Sequence, residues 1–264
     1  MDLPYTLLDA FTDQPFTGNP AAVFNLEAPI SDGLMQNIAA ELKLSETAFV
    51  THAPGHSTLR WFTPVSEVDL CGHATLATAF ALFCDQSSSA LEPLVFQSKS
   101  GPLTCIRGQD GVTLDFPATP PEPEDTNTDI LKALTIDDAS YFGRSTFDYL
   151  IEVPNESTLI ALKPDFAALA AYDTRGFIVT ALSDDSDYDF VSRFFAPRHG
   201  VDEDPVTGSA HCCLGPYWAE RLQKTHFHAA QRSPRGGSLR LALKNDRVLL
   251  TGQAVIVGHG RFEL

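Results

Sequence analysis

The chain of 264 residues is short of positive charge: 18 lysines and arginines stand against 34 aspartates and glutamates, a formal net charge of −16 at pH 7. Such an excess repels phosphate backbones and anionic headgroups, which argues against nucleic acid or a membrane as partner. No apolar run is long enough to span a bilayer. The start, Met1-Asp2-Leu3-Pro4-Tyr5, lacks the basic and apolar regions of an export signal, so a cytoplasmic location is expected. The five cysteines are odd in number and none stands in C-x-x-C spacing, which fits a reduced protein better than a disulfide scaffold or a zinc site. The chain also lacks a dinucleotide-type glycine loop after a strand, a Walker loop and a lysine in Schiff-base context, so no organic cofactor is expected. His211, His226 and His228 do not have a recognised metal spacing, and Asp202-Glu203-Asp204 reads as a solvated acidic turn, so no metal is expected either.

What is present is core-forming material, with 44% hydrophobic residues, enough for one large domain or two ordinary ones. A degenerate repeat favours two. Arg60-Trp61-Phe62-Thr63-Pro64 matches Arg193-Phe194-Phe195-Ala196-Pro197, Cys71-Gly72-His73-Ala74 matches Thr207-Gly208-Ser209-Ala210, and Thr47-Ala48 matches Thr180-Ala181. The run 74–83 is apolar nearly all round, as a helix buried at a domain centre would be. Ser31 reads as an N-cap before Leu34, Ile38 and Leu42, which recur at helical spacing. Strands are expected at 3–11, 21–25, 44–51 and 57–62 in the first half. In the second half they are expected near 149–153, 158–162, 177–182 and 189–195, before a helix opening at Gly208. The Pro-rich segment 117–125 reads as a linker. The expected fold class is therefore α+β, with two pseudo-symmetric domains, each a sheet or barrel wrapped around a central apolar helix. Residues 1–117 form the first domain, 118–252 the second, and 253–264 return to the first.

The repeat also exposes candidate chemistry. A Gly-x-Ala turn at a helix start leaves backbone amides without intrahelical partners, and two such starts would suit a carboxylate substrate or a developing enolate. Small residues that merely permit tight packing are the alternative. On the 133-residue offset Glu46 faces Val179 as its counterpart, so it is the acid unique to the first half. Partial burial on a strand would make it useful as a base and then an acid; a solvent-facing strand glutamate is the other reading. His73 can donate to substrate or shuttle a proton, or serve as a capping or core residue. Asp204 before Pro205 can hold a substrate donor or build an Asx-type turn. Ser209 has no acid–base pair nearby, which makes it a hydrogen-bond donor or N-cap before a nucleophile. Cys71 has Thr207 as its counterpart, so a thiol pair is absent.

Several segments together resemble the phenazine-biosynthesis isomerase (PhzF-like) family. They are Asp9-Ala10-Phe11-Thr12, Gly18-Asn19-Pro20-Ala21-Ala22-Val23, Ser45-Glu46-Thr47-Ala48, Cys71-Gly72-His73-Ala74-Thr75 and Asp204-Pro205-Val206-Thr207-Gly208-Ser209-Ala210-His211. The resemblance implies a diaminopimelate-epimerase-like fold, an interdomain cleft, no cofactor and a homodimer. It assigns Glu46 as general acid/base, His73, Asp204 and Ser209 as substrate-contacting groups, and Gly72 and Gly208 as backbone amides. The implied activity is a cofactor-independent isomerisation that moves a proton within a small carboxylated metabolite. A cofactor-independent amino-acid racemase or epimerase, and a non-enzymatic ligand-binding protein of the same fold, are the alternatives.

Overall fold

The computed structural model describes residues 2–54, 56–85 and 92–264. Contacts divide the chain into two units: everything up to Phe116 together with Leu249–Leu264, and Pro117–Val248.

The first unit runs β1 (Asp2–Ala10), β2 (Asn19–Leu26), α1 (Asp32–Leu42), β3 (Glu46–Ala53), β4 (His56–Phe62), β5 (Glu67–Val68), α2 (Gly72–Cys84), β6 (Leu94–Ser98), β7 (Gly101–Gly108) and β8 (Gly111–Pro117). The second holds β9 (Glu122–Pro123), α3 (Thr128–Ala133), β10 (Tyr141–Arg144), β11 (Asp148–Glu152), α4 (Glu156–Ala161), α5 (Phe166–Leu169), β12 (Gly176–Leu182), β13 (Phe190–Ala196), β14 (Val201–Asp204), α6 (Gly208–Leu222), β15 (His226–Gln231) and β16 (Gly237–Lys244). Strand β17 (Arg247–Gly252) crosses the boundary, so the return to the first unit begins at Leu249 and not at 253. Strand β18 (Ala254–Glu263) then pairs antiparallel with β1, Asp2 opposite Glu263 and Ala10 opposite Ala254.

Each unit has the same wiring. In the first, β1–β2 is antiparallel, β2–β3 parallel, β3–β4 and β4–β5 antiparallel, β4–β6 parallel and β6–β7 antiparallel. In the second, β10–β11, β11–β12, β12–β13, β13–β14, β13–β15 and β15–β16 repeat that series step for step. Even the outer partner recurs, since β9 lies antiparallel to β10 as β18 does to β1.

Helix α2 shows why an all-apolar sequence can be a helix here. Ten of its thirteen residues are buried, and burying Leu76, Leu82 and Phe83 contributes about 1.5–3 kcal/mol each. Its two threonines do not disturb this, because Thr75 Oγ1 donates to the Cys71 carbonyl and Thr78 Oγ1 to the Ala74 carbonyl at 2.7 Å. Helix α6 contains Pro216. Proline has no N–H for the carbonyl four residues back, and that carbonyl, of Cys212, instead accepts the Thr119 N–H of the Pro-rich segment at 3.0 Å. Helix α1 starts as its sequence suggests, with Ser31 Oγ accepting from Leu34 N at 3.3 Å.

Another sequence expectation fails. Residues 158–162 are not a strand: α4 covers Glu156–Ala161, because Asn155 Oδ1 accepts from Thr158 N at 2.8 Å and caps the turn. Arg193 then closes the other end, Nη1 donating to the carbonyls of Leu159 at 3.2 Å and Leu162 at 3.1 Å. The rest of that guanidinium makes a two-pronged pair with Glu203, both contacts 2.8 Å. Its repeat counterpart Arg60 makes the same fork to Glu67, at 2.7 and 2.8 Å.

Candidate active site

In the first unit Glu46, Gly72 and His73 come together at the start of α2. Glu46 opens β3, opposite Ala21 in the parallel ladder with β2. Its side chain is 19% exposed and its Oε2 lies 3.5 Å from Nε2 of His73, which is 3% exposed. The other ring nitrogen, Nδ1, lies 3.1 Å from the Asn19 amide nitrogen and 3.5 Å from the Cys71 sulfur. Burial pushes the His73 imidazole down to about 3, so the ring is neutral at physiological pH. Asn19 follows a turn that only glycine allows: Gly18 has φ +67°, and a Cβ there would meet the Ala10 carbonyl oxygen at 2.3 Å. The buried carboxylate of Asp9 holds the same turn, accepting from Phe16 N at 2.7 Å.

In the second unit Asp204, Gly208 and Ser209 gather at the start of α6. Thr207 Oγ1 donates to Asp204 Oδ2, while Gln231 bridges the turn, Nε2 donating to the Asp204 carbonyl at 2.6 Å and Oε1 accepting from Thr207 N at 2.9 Å. The N-cap of α6 is therefore Thr207, and Ser209 sits within the first turn instead of capping it. Arg175 reaches Ser209, Nη1 donating to Oγ at 2.9 Å. The same guanidinium forks onto Asp148, Nε to Oδ1 at 2.8 Å and Nη2 to Oδ2, and covers the rings of Phe147 and Phe194. Burial opposes the charge on Arg175, but Asp148 outweighs it and holds the group protonated. Farther along α6, His211 donates Nδ1–H to the Thr207 carbonyl at 2.8 Å, and burial lowers its pKa to about 4.

The two helix starts share a property that matters for anions. Their N-caps, Cys71 and Thr207, make no side-chain capping bond. Ordinary Ser/Thr caps occupy the amides of the first turn; here the Gly72 and His73 amides, and those of Gly208 and Ser209, have neither a cap nor an intrahelical acceptor. Each start is a donor cluster at the positive end of a helix dipole.

Strand register corrects one sequence inference. Arg60 lies opposite Phe49, whereas Arg193 lies opposite Val179. Superposing the arginines therefore moves the β3–β12 correspondence from an offset of 133 residues to 130, and the counterpart of Glu46 is Gly176, not Val179. The parallel ladders agree, starting at Ala21–Glu46 in one unit and Asp148–Gly176 in the other. Next to Gly176 stands Arg175, which sequence reasoning missed, as it missed Asp148 and Gln231. Gly176 itself is dictated by packing, since a Cβ there would meet the Phe194 ring at 2.3 Å. An arginine immediately before an obligatory glycine at a strand start was the available signal.

Glu46, Cys71 and His73 also place three metal-ligating atoms within 4.8 Å of one another. Cys71 approaches Nδ1 and Glu46 approaches Nε2. The ring thus stands between the other two groups, an arrangement suited to proton and hydrogen-bond relay and not to closing three ligands on one ion. All five cysteines are free thiols, and burial pushes Cys105, Cys212 and Cys213 up to about 12, which leaves them unreactive. No helix among the described residues is long and apolar enough to cross a membrane.

The family model described as phenazine biosynthesis-like protein (PhzC-PhzF) matches residues 8–260. A protein of Halalkalibacterium halodurans named as an uncharacterized isomerase is 51% identical over 258 residues, covering 97% of each chain. The crystal structure of a phenazine biosynthesis protein of the PhzF family from Enterococcus faecalis superposes with a TM-score of 0.93 at 45% identity, covering 100% of both chains. A probable proline racemase from Agrobacterium radiobacter K84 shares the fold alone, with a TM-score of 0.66 at 10% identity over 99% of this chain and 93% of its own.

Proposed function

This chain belongs to the phenazine biosynthesis-like family of isomerases, and from that premise we propose that it moves a proton within a small carboxylated metabolite, with Glu46 as the single acid–base group. The observation that carries this reading is Glu46 itself, a largely shielded carboxylate 3.5 Å from a neutral histidine at an uncapped helix start. In the reaction Glu46 removes a proton from a carbon conjugated with the substrate's carbonyl or carboxylate group. The electron pair delocalises onto oxygen, and the carboxylic acid then returns the proton to another carbon of the same conjugated system. His73 contacts the reacting substrate. The Gly72 amide stabilises the oxygen charge that develops, and a preorganised donor of this kind is worth several kcal/mol at a transition state. In the second unit Asp204 keeps Thr207 turned away from the start of α6, which leaves the Gly208 and Ser209 amides open to an anion.

The racemase or epimerase reading needs a second acid or base working on the opposite face of one carbon. The counterparts in the second unit are Thr207, Ser209, Gly176 and Arg175, none of which removes a carbon-bound proton at neutral pH. The decisive experiment is a Glu46→Gln variant assayed on a substrate deuterated at the donor carbon. We expect turnover to fall on the order of a thousandfold, and the parent protein to carry part of the label into product. Near-normal turnover by a folded variant would rule out the role.

A further inference from the structure

We propose that Asn19 is a positioning residue that fixes His73 as the neutral tautomer protonated at Nε2, so that His73 enters the reaction as a hydrogen-bond donor and Glu46 remains the base. The inference deepens the proposed function and rests on it only for its kinetic consequence. The tautomer itself is read from the contact of the Asn19 side-chain nitrogen with Nδ1 and is tested without substrate.

The Asn19 nitrogen that meets the ring is an NH2 group, which can donate and cannot accept. Nδ1 is therefore the acceptor, and in a neutral imidazole the proton then lies on Nε2. Cys71 approaches the same Nδ1, and a thiol there is a second donor to the same lone pair. Nε2 is buried and makes no hydrogen bond of its own, with the Glu46 carboxylate 3.5 Å away. The proton on Nε2 is thus presented to the place where Glu46 works. Among the titratable groups of the described residues, Glu46 from β3 and Cys71 from the turn before α2 face the ring.

Charging the ring is opposed twice. His73 lies in the first turn of α2, where the positive end of the helix disfavours a cation, and burial acts in the same direction. A neutral imidazole N–H is a good donor to an oxygen that becomes anionic only during the reaction, because it adds no charge to the ground state. The Gly18-Asn19-Pro20 motif then has a purpose. Gly18 allows the close turn, and Asn19, fully buried at the first position of β2, delivers its amide across 54 residues of sequence.

The test is a long-range nitrogen–proton correlation spectrum of the ¹⁵N-labelled full-length protein without substrate, with His73 assigned by loss of its signals in His73→Gln. We expect an unprotonated Nδ1 and a protonated Nε2. Asn19→Asp keeps the side-chain shape but replaces the donor with an acceptor, so it should transfer the proton to Nδ1 and lower kcat on the order of a hundredfold, with a smaller change in KM. Asn19→Ala should give a mixture of tautomers and an intermediate kcat. A protonated Nδ1 in the parent protein overturns the proposal, as does an Asn19→Asp protein that keeps the Nε2 proton; if that variant does not fold, the parent spectrum decides alone. An active Glu46→Gln protein would sink the proposed function while leaving the spectrum as expected, so the two failures are distinguishable.

Discussion

The two units share their strand pairing throughout, yet the first brings a carboxylate to the start of its central helix and the second brings a guanidinium. At Glu46 the group is 19% exposed and its neighbour is a neutral histidine. At Arg175 the group is clamped by Asp148 and donates to Ser209, so its charge is fixed. Duplicated architecture supplied two equivalent places, and the sequence fills them with groups of opposite charge, for which the proposed function has different tasks: proton transfer at one and the holding of donors at the other. The arginines a strand away show the opposite pattern. Arg60 and Arg193 keep the same fork onto an acid, which marks that pair as part of the frame.

The largest expected effect tests the division of tasks directly. Glu46→Gln should cost a thousandfold in kcat, equivalent to about 4 kcal/mol of transition-state stabilisation, while changing the midpoint of chemical unfolding little, since the side chain is nearly isosteric. Equal losses of activity and stability would mean that Glu46 belongs to the frame.

Next in size is the comparison of the frame arginines. Arg193→Ala strands a Glu203 that is 12% exposed and removes the donor closing α4, so urea unfolding should show a loss of about 3 kcal/mol. Arg60 is 26% exposed and its second partner Asp32 lies 78% exposed, so Arg60→Ala should cost about 1–2 kcal/mol. Equal costs would remove the distinction.

A third effect is slower to appear and is common to both units. His73 and His211 are held neutral, at about 3 and about 4, whereas the unfolded chain protonates near 6.5. Between those values the unfolded state binds more protons, so stability falls as pH drops below about 6.5. Each histidine contributes a slope of up to about 1.4 kcal/mol per pH unit. Unfolding free energies from pH 7 to 4.5 should show it, and His73→Gln or His211→Gln should flatten it. A slope unchanged in both variants would assign the acid sensitivity to carboxylates.

The smallest is the cap of α1. Ser31→Ala should lower stability by about 1 kcal/mol without altering kcat, as a check that perturbing the frame of the first unit leaves proton transfer alone.

The sequence made some of this readable and hid the rest for physical reasons. Ser31 and the spacing of Ile38 marked α1, and the apolar run after Gly72 marked α2, because capping and burial leave local traces. The run at 158–162 misled because its apolar residues suit a strand, while Asn155, which decides the matter, lies outside the run. Arg175 was missed for another reason: the Arg60–Arg193 offset was carried back unchanged through β3, and a three-residue difference in strand register can be seen only in the ladders. Asn19 was legible as part of a motif and illegible as a partner of His73, since nothing local announces a contact 54 residues away.

The pairing of β1 with β18 sets an order on synthesis. The ribosome completes every residue of the second unit, Pro117–Val248, before it makes the strand that lies against β1. The second unit is contiguous and can condense while the chain is still growing, whereas β1 waits with one edge open until Ala254–Glu263 emerges. The half of the molecule translated first is thus the half finished last, and its exposed edge is what a chaperone or a nascent-chain protease would meet in the interval.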